Sequence, residues 1–408
     1  MNRRSLALGI FATLFCMASC NNIPGHFFTK NSAVEKRNDS IARLFDPKIA
    51  QQKAIKLDTF FKTLQKNTGF NGTVLVAQYG KIIYKRAFGI ANNFTKVQLN
   101  TRTPFQLASV SKQFTAVSIL QLMEQGKLKL DDRVEQHIPG FPYDSSITIR
   151  SLLTHKSGLA NYAYCLDKYY DKKAPLTNAK VVELFIKIKP GIDYHPNRQF
   201  HYNNTNYILL AYIVERLSGK GFREYVKENI FTPAGMTESF VYDPLHPELL
   251  KTSATGYQPK RSGLAVVGFD HLDGVTGDKG IYSTVEDMFL WDQALNSETV
   301  VKLSSLAEAF TPQHTKPKVL TTNYGLGWRL KQLENGEWLT YHTGWWHGFK
   351  NYYLHNQKDN SAIIILGNMA NHSLAKVNIV QSILYPEKAK FFLKGENLPA
   401  ENEASGGN

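Results

Sequence analysis

Cysteine is scarce in this chain. Its 408 residues hold three, at positions 16, 20 and 165. No disulfide framework can be built from them, and no zinc-finger spacing is present. Long apolar runs are scarce as well. The run from Leu6 to Phe15 is too short for a comfortable membrane span. Acidic residues are outnumbered, with 34 Asp and Glu against 48 Lys and Arg and a net charge of +14. The basic residues are nevertheless scattered, with no long basic run and no aromatic/basic RNA-binding signature, so nucleic acid is not an expected partner. The charge reads as a basic surface that would suit an anionic membrane or cell wall. Also missing are G-x-G-x-x-G, H-E-x-x-H and G-x-S-x-G. Their absence argues against a Rossmann fold, a zinc protease of that type and an α/β-hydrolase.

What is present begins with a leader. Arg3 and Arg4 precede the apolar run, and Met17-Ala-Ser-Cys20 follows it. A charged segment, a short apolar segment and small residues before a cysteine are the parts of an export signal. The pattern resembles a bacterial lipobox, although Met17 stands where leucine is usual. It gives the expectation of a signal peptide over 1–19 and a lipid-bearing Cys20, with localisation at the cell envelope, facing the periplasm or exterior. An ordinary secretory signal with an incidental Cys20 is the alternative. Residues 20–50 read mainly as a polar tether with room for one short helix. Residues 391–408 read as a flexible tail. Cys165 would then be a lone thiol, used for packing or incidental.

Between tether and tail, 51–390 reads as one domain. The stretch NGTVLVAQYGKIIYKRAFGIAN predicts a hairpin turning at Tyr79-Gly80. After Ser111, apolar residues at helical spacing run to Gly126. Helix and loop continue to about residue 270. Strand signals return in YGLGWRLKQL, EWLTYHTG, KNYYLHN and SAIIILGN, and a last helix covers about Ala375 to Leu384. Strands open and close the domain while helices fill its middle. The fold class is α/β (α+β): one antiparallel sheet built from both ends, flanked by helices, with a helical subdomain at about 110–270.

The chemistry concentrates around QLASVSKQFTA. Ser109 precedes Lys112 by one helical turn, so a weak nucleophile and a basic group share a face. Spacing alone is poor evidence, because Ser373-Leu-Ala-Lys376 repeats it. Order separates the two. Downstream of Ser109 lie Tyr202-Asn203-Asn204 and then His342-Thr343-Gly344, whereas nothing completes a site after Ser373.

Ser-x-x-Lys, Tyr-x-Asn and a basic residue with Thr-Gly, in that order, resemble the serine β-lactamase-related family of β-lactamases, D-alanyl-D-alanine peptidases, esterases and aminopeptidases. The blocks ITIRSLLTHKSGLANY, GDKGIYSTVEDMFLW and YGLGW strengthen the resemblance, which covers about residues 55–390. It implies that Ser109 attacks a carbonyl and forms an acyl-enzyme, and that Lys112 and Tyr202 share proton transfer. Asn204 would position the substrate amide and Lys112. His342, Thr343 and Gly344 would line the substrate site, and the N–H groups of Ser109 and Trp345 would form the oxyanion hole. No metal or other cofactor is implied. The expected partner is a small-molecule or peptide substrate, cell-wall peptide included, together with the membrane through the lipid.

Other readings stay open residue by residue. Tyr202 reads also as a core tyrosine, and Asn204 as a helix N-cap. His155 reads as a loop hydrogen-bonder, and Glu286 and Asp287 as capping charges. The family's usual third motif carries lysine where His342 stands. A histidine is mostly neutral at neutral pH. The departure favours an amide or ester hydrolase over an efficient β-lactamase. The competing reading is a penicillin-binding sensor or scaffold with slow or no turnover.

Overall fold

The structure is a computed structural model that describes residues 31–143, 146–261, 263–314, 322–333 and 335–390. The expected signal peptide, Cys20 and the tail from 391 lie outside the described residues.

The first helices are α1 (Ser32–Ala42) and α2 (Pro47–Thr68). The Asp46 carboxylate accepts the N–H groups of Lys48 and Ile49, Pro47 opens α2, and Gly69 closes it at φ 68. The segment read as a tether therefore holds α1 and the start of α2. Helix α1 is anchored to the body. Asn38 Nδ2 donates to the Asn296 carbonyl at 2.9 Å, the Arg37 guanidinium donates to the Gln357 carbonyl, and Val34 is buried. Polar composition hid these contacts, because α1 docks mainly through hydrogen bonds.

The hairpin forms as expected from β1 (Gly72–Gln78) and β2 (Lys81–Phe88). Tyr79 and Gly80 both take positive φ, 56 and 73, which suits the right-handed twist of a two-residue turn. The inserted region carries α3 (Lys112–Glu124), α4 (Asn178–Ile188) and α5 (Asn204–Ser218), with shorter turns between. Then come α6 (Val285–Asn296) and five strands: β3 (Thr322–Tyr324), β4 (Arg329–Gln332), β5 (Trp338–Trp346), β6 (Phe349–Asn356) and β7 (Ser361–Gly367). Helix α7 (Val377–Leu384) follows. The sheet order is β3-β4-β5-β6-β7-β1-β2, antiparallel at each pairing. The N-terminal hairpin thus joins the C-terminal strands through β1 and β7.

Both of those strands are buried along their whole length. Successive side chains go to opposite faces. Val74 and Val76 meet Phe61 of α2 and Val380 of α7 in one apolar layer. Leu75 and Ala77 join Phe114 of α3, Leu209 of α5 and Trp291 of α6 in the other. Each large side chain fully buried this way contributes about 1.5–3 kcal/mol. The second Ser-x-x-Lys is a short 3-10 turn before α7. Its serine hydroxyl lies 3.1 Å from that of Thr68, so the pair ties α7 to the end of α2.

Candidate active site

Ser109 sits in a 3-10 turn, Ala108–Ser111, that runs directly into α3. Ala108 takes φ 50, a left-handed conformation that costs a residue with a Cβ. Neighbours hold the turn in place. The Leu107 N–H donates to the Ile281 carbonyl at 2.7 Å. Asn351 Nδ2 donates to the Gln106 carbonyl at 2.8 Å. The Ser111 hydroxyl accepts the Ile281 N–H at 3.2 Å. The short strands Phe105–Gln106 and Ile281–Ser283 pair here, which sequence patterning does not foresee. The result is a half-buried serine on a fixed backbone beside the N-terminus of a buried helix.

Lys112 is fully buried. Its Nζ donates to Ser109 Oγ at 3.2 Å, to Asn204 Oδ1 at 2.8 Å and to the Asp278 carbonyl at 2.8 Å. Three acceptors around one nitrogen suit the three hydrogens of an ammonium. Asn204 thus lies within hydrogen-bond reach of Lys112, as the sequence motif leads one to expect. The N-cap of α5 is Asn203 instead, whose side chain accepts the Thr205 N–H. The Asp278 contact goes through a backbone oxygen, so no side-chain pattern announces it.

Tyr202 lies just before α5 and is 6 % exposed. Lys112 Nζ is 5.0 Å from its ring centroid. Arg329, at the start of β4, puts its Cζ 4.9 Å from the same centroid. His155 is a loop hydrogen-bonder that grips this segment from both ends. Its carbonyl accepts the His201 N–H at 3.0 Å, and its Nδ1 accepts the Asn203 N–H at 3.1 Å. Burial first, then the nearby charges of Lys112 and Arg329, pushes the His155 pKa well below the usual imidazole value.

The third motif lies on β5. Gly344 is required there: a Cβ would stand 2.2 Å from the Leu107 carbonyl oxygen and 3.2 Å from the Ala108 Cβ. Only a glycine lets β5 press this closely on the turn that carries Ser109. His342 is fully buried. Its Nδ1 donates to the Thr343 carbonyl at 2.6 Å and its Nε2 accepts from the Tyr324 hydroxyl at 3.0 Å. Burial, then Arg329 and Lys112, drives its pKa well below the usual value. Both ring nitrogens are thus occupied within the protein, and the ring is neutral. Thr343 is nearly buried. Trp345 is half-buried, with Lys350 Nζ 4.5 Å from one of its ring centroids.

Of the remaining residues, Asp287 is more than a helix-start charge. Its carboxylate accepts the Glu238 N–H and the Ser239 hydroxyl, while Glu286 pairs with Lys85 at 2.8 Å. Cys165 is half-buried, and burial pushes its thiol up to about 12, which makes it inert near neutrality. Asp270, Asp273 and His347 cluster closely enough to suggest metal ligands. The Asp273 carboxylate is already taken by Trp346 Nε1 at 2.9 Å, His347 Nε2 at 2.8 Å and the Asp270 N–H at 2.6 Å. The cluster pins the turn between β5 and β6. Arg329 was missed by sequence reading, because no motif contains it.

The geometry has relatives. The profile of the Beta-lactamase family matches residues 57–379. A penicillin-binding protein of Bacillus subtilis (strain 168) is 36 % identical over 328 residues, 78 % of this chain and 72 % of that protein. An N-acetylmuramyl-L-alanine amidase of the same organism is 28 % identical over 368 residues, 74 % of this chain and 80 % of that protein. Among solved structures, a penicillin-binding protein homologue from Pyrococcus abyssi superposes with a TM-score of 0.70 at 26 % identity, covering 84 % of this chain and 77 % of that one.

Proposed function

The chain belongs to the β-lactamase family of serine hydrolases, and from that premise we propose that it is a membrane-tethered enzyme that cleaves amide or ester bonds through an acyl-enzyme on Ser109. The observation that carries this reading is the Lys112 Nζ, held by Asn204 and the Asp278 carbonyl and donating to Ser109 Oγ at 3.2 Å.

With Lys112 held against Ser109 Oγ, the serine proton passes to the Tyr202 phenolate as Oγ adds to the substrate carbonyl. The N–H groups of Ser109 and Trp345 receive the oxyanion. Tyr202 then returns the proton to the departing amine or alcohol, and the C–N or C–O bond breaks. Water enters, gives its proton to Tyr202 and attacks the Ser109 ester. As that second intermediate breaks down, Tyr202 returns the proton to the departing Ser109 Oγ, which frees the acid and restores the serine.

Neutral, enclosed His342 offers no fixed charge to a substrate carboxylate. That supports peptides, amides or esters over β-lactams as preferred substrates. The resemblance to a cell-wall amidase and to penicillin-binding proteins supports peptides of the cell wall as the natural class. The Arg3-Arg4 leader and Cys20 support a lipid anchor at the envelope. Steady-state hydrolysis of a peptide amide, an activated ester and a penicillin, with Ser109→Ala as control, tests the reading. Ser109-dependent turnover of amide or ester faster than penicillin supports it. Persistent penicillin labelling without turnover of any of the three would replace it with a penicillin-binding sensor.

A further inference from the structure

We propose that Arg329 is a positioning residue for the reaction, the second cation that keeps the Tyr202 oxygen able to accept the Ser109 proton. The inference rests on the reading of Ser109 as the nucleophile.

The ring of Tyr202 is flanked almost equally by two side-chain cations, Lys112 Nζ at 5.0 Å and Arg329 Cζ at 4.9 Å from its centroid. The other polar rings facing it carry no charge. His155 lies 4.3 Å away and His342 6.5 Å, centroid to centroid, and both are held neutral. Tyr324 is 6.2 Å away, and burial keeps its phenol, like that of Tyr207 on α5, protonated. A phenol enclosed by apolar groups holds its proton tightly, since burial penalises the anion. Two cations about 5 Å from the ring centroid oppose that penalty, since a nearby positive charge favours the anion. An arginine cannot lose its own charge in this setting.

The placement follows from the sheet. Strand β4 pairs with β5, Arg329 opposite Tyr341, so Arg329 stands beside the strand that carries His342. His342 supplies no charge there, and Arg329 supplies it from the neighbouring strand. Its field is felt by both buried histidines, where it is among the causes of their depressed proton affinity.

The test is the pH profile of kcat/KM for p-nitrophenyl butyrate with wild type, Arg329→Gln, Arg329→Met and Arg329→Lys, alongside thermal melts. The acidic limb, where the base gains its proton, should move to higher pH by about one unit in both neutral variants. The alkaline plateau should stay within about threefold, because the loss is of charge and not of the nucleophile. Arg329→Lys should hold the limb within about half a unit. An even fall at every pH, or no change, would overturn the proposal and leave Arg329 as packing against Tyr202. Failure of both neutral variants to fold would overturn it also, by assigning Arg329 to the fold. These failures are distinct from failure of the hydrolase reading, which would appear as wild-type turnover that Ser109→Ala does not abolish.

Discussion

His155 packs against Tyr202 with ring centroids 4.3 Å apart and planes tilted by 36°, and its Nδ1 accepts the N–H of Asn203, the residue after Tyr202. The turn containing His155 therefore sets where the phenol stands. His155→Ala should lower kcat on an activated ester about 10- to 100-fold, the scale of a misplaced catalytic group, with KM changed little. Steady-state kinetics checks the split. A change confined to KM would show that His155 shapes substrate binding instead.

Acid should destabilise the fold through its buried histidines. His155 and His342 are both depressed well below the ordinary value. Below about pH 6.5 the unfolded chain's histidines take protons that the native rings do not. Each then removes about 1.4 kcal/mol of stability per pH unit until the native value is reached, and neither acts above pH 6.5. Urea midpoints between pH 7.5 and 5.5 should fall accordingly, and His342→Asn should flatten the slope. An equal slope in that variant would place the acid sensitivity elsewhere.

Gly344→Ala should cut kcat/KM at least about tenfold, because the new Cβ meets the Leu107 carbonyl oxygen at 2.2 Å and must push the turn that carries Ser109. Gly191→Ala is the control, with nothing within 4 Å of its Cβ. Equal activities in the two variants would mean that β5 and the turn yield without cost.

The proposed lipid anchor is tested in cells. Cys20→Ala should move the protein from the membrane fraction to the soluble one without changing its activity per mole. Retention in the membrane fraction would mean that something other than a lipid on Cys20 holds it.

Much of the candidate site was legible because its pieces are local. Ser109 and Lys112 lie one turn apart, Tyr202 and Asn204 two residues apart, and His342, Thr343 and Gly344 are consecutive. The two-ended sheet was legible for a similar reason, since apolar β-branched runs bracket the helical middle. What escaped depends on distant chain segments meeting. Arg329 reaches Tyr202 only because β4 lies beside β5. Asp278 serves Lys112 through its backbone, which any residue type would do. Helix α1 has one buried apolar residue and docks through Arg37 and Asn38, so its pattern resembles a linker. Asn203 and Asn204 are adjacent and chemically identical, and only the helix start decides which one caps.

The most direct measurement is the intact mass of the protein at successive times after mixing with an activated ester, for wild type, Lys112→Ala and Ser109→Ala. The account predicts one acyl mass that rises and clears in wild type, forms at least about a thousandfold more slowly in Lys112→Ala, and is absent in Ser109→Ala. An acyl adduct that forms normally in Ser109→Ala would contradict it, because the nucleophile would then be another residue.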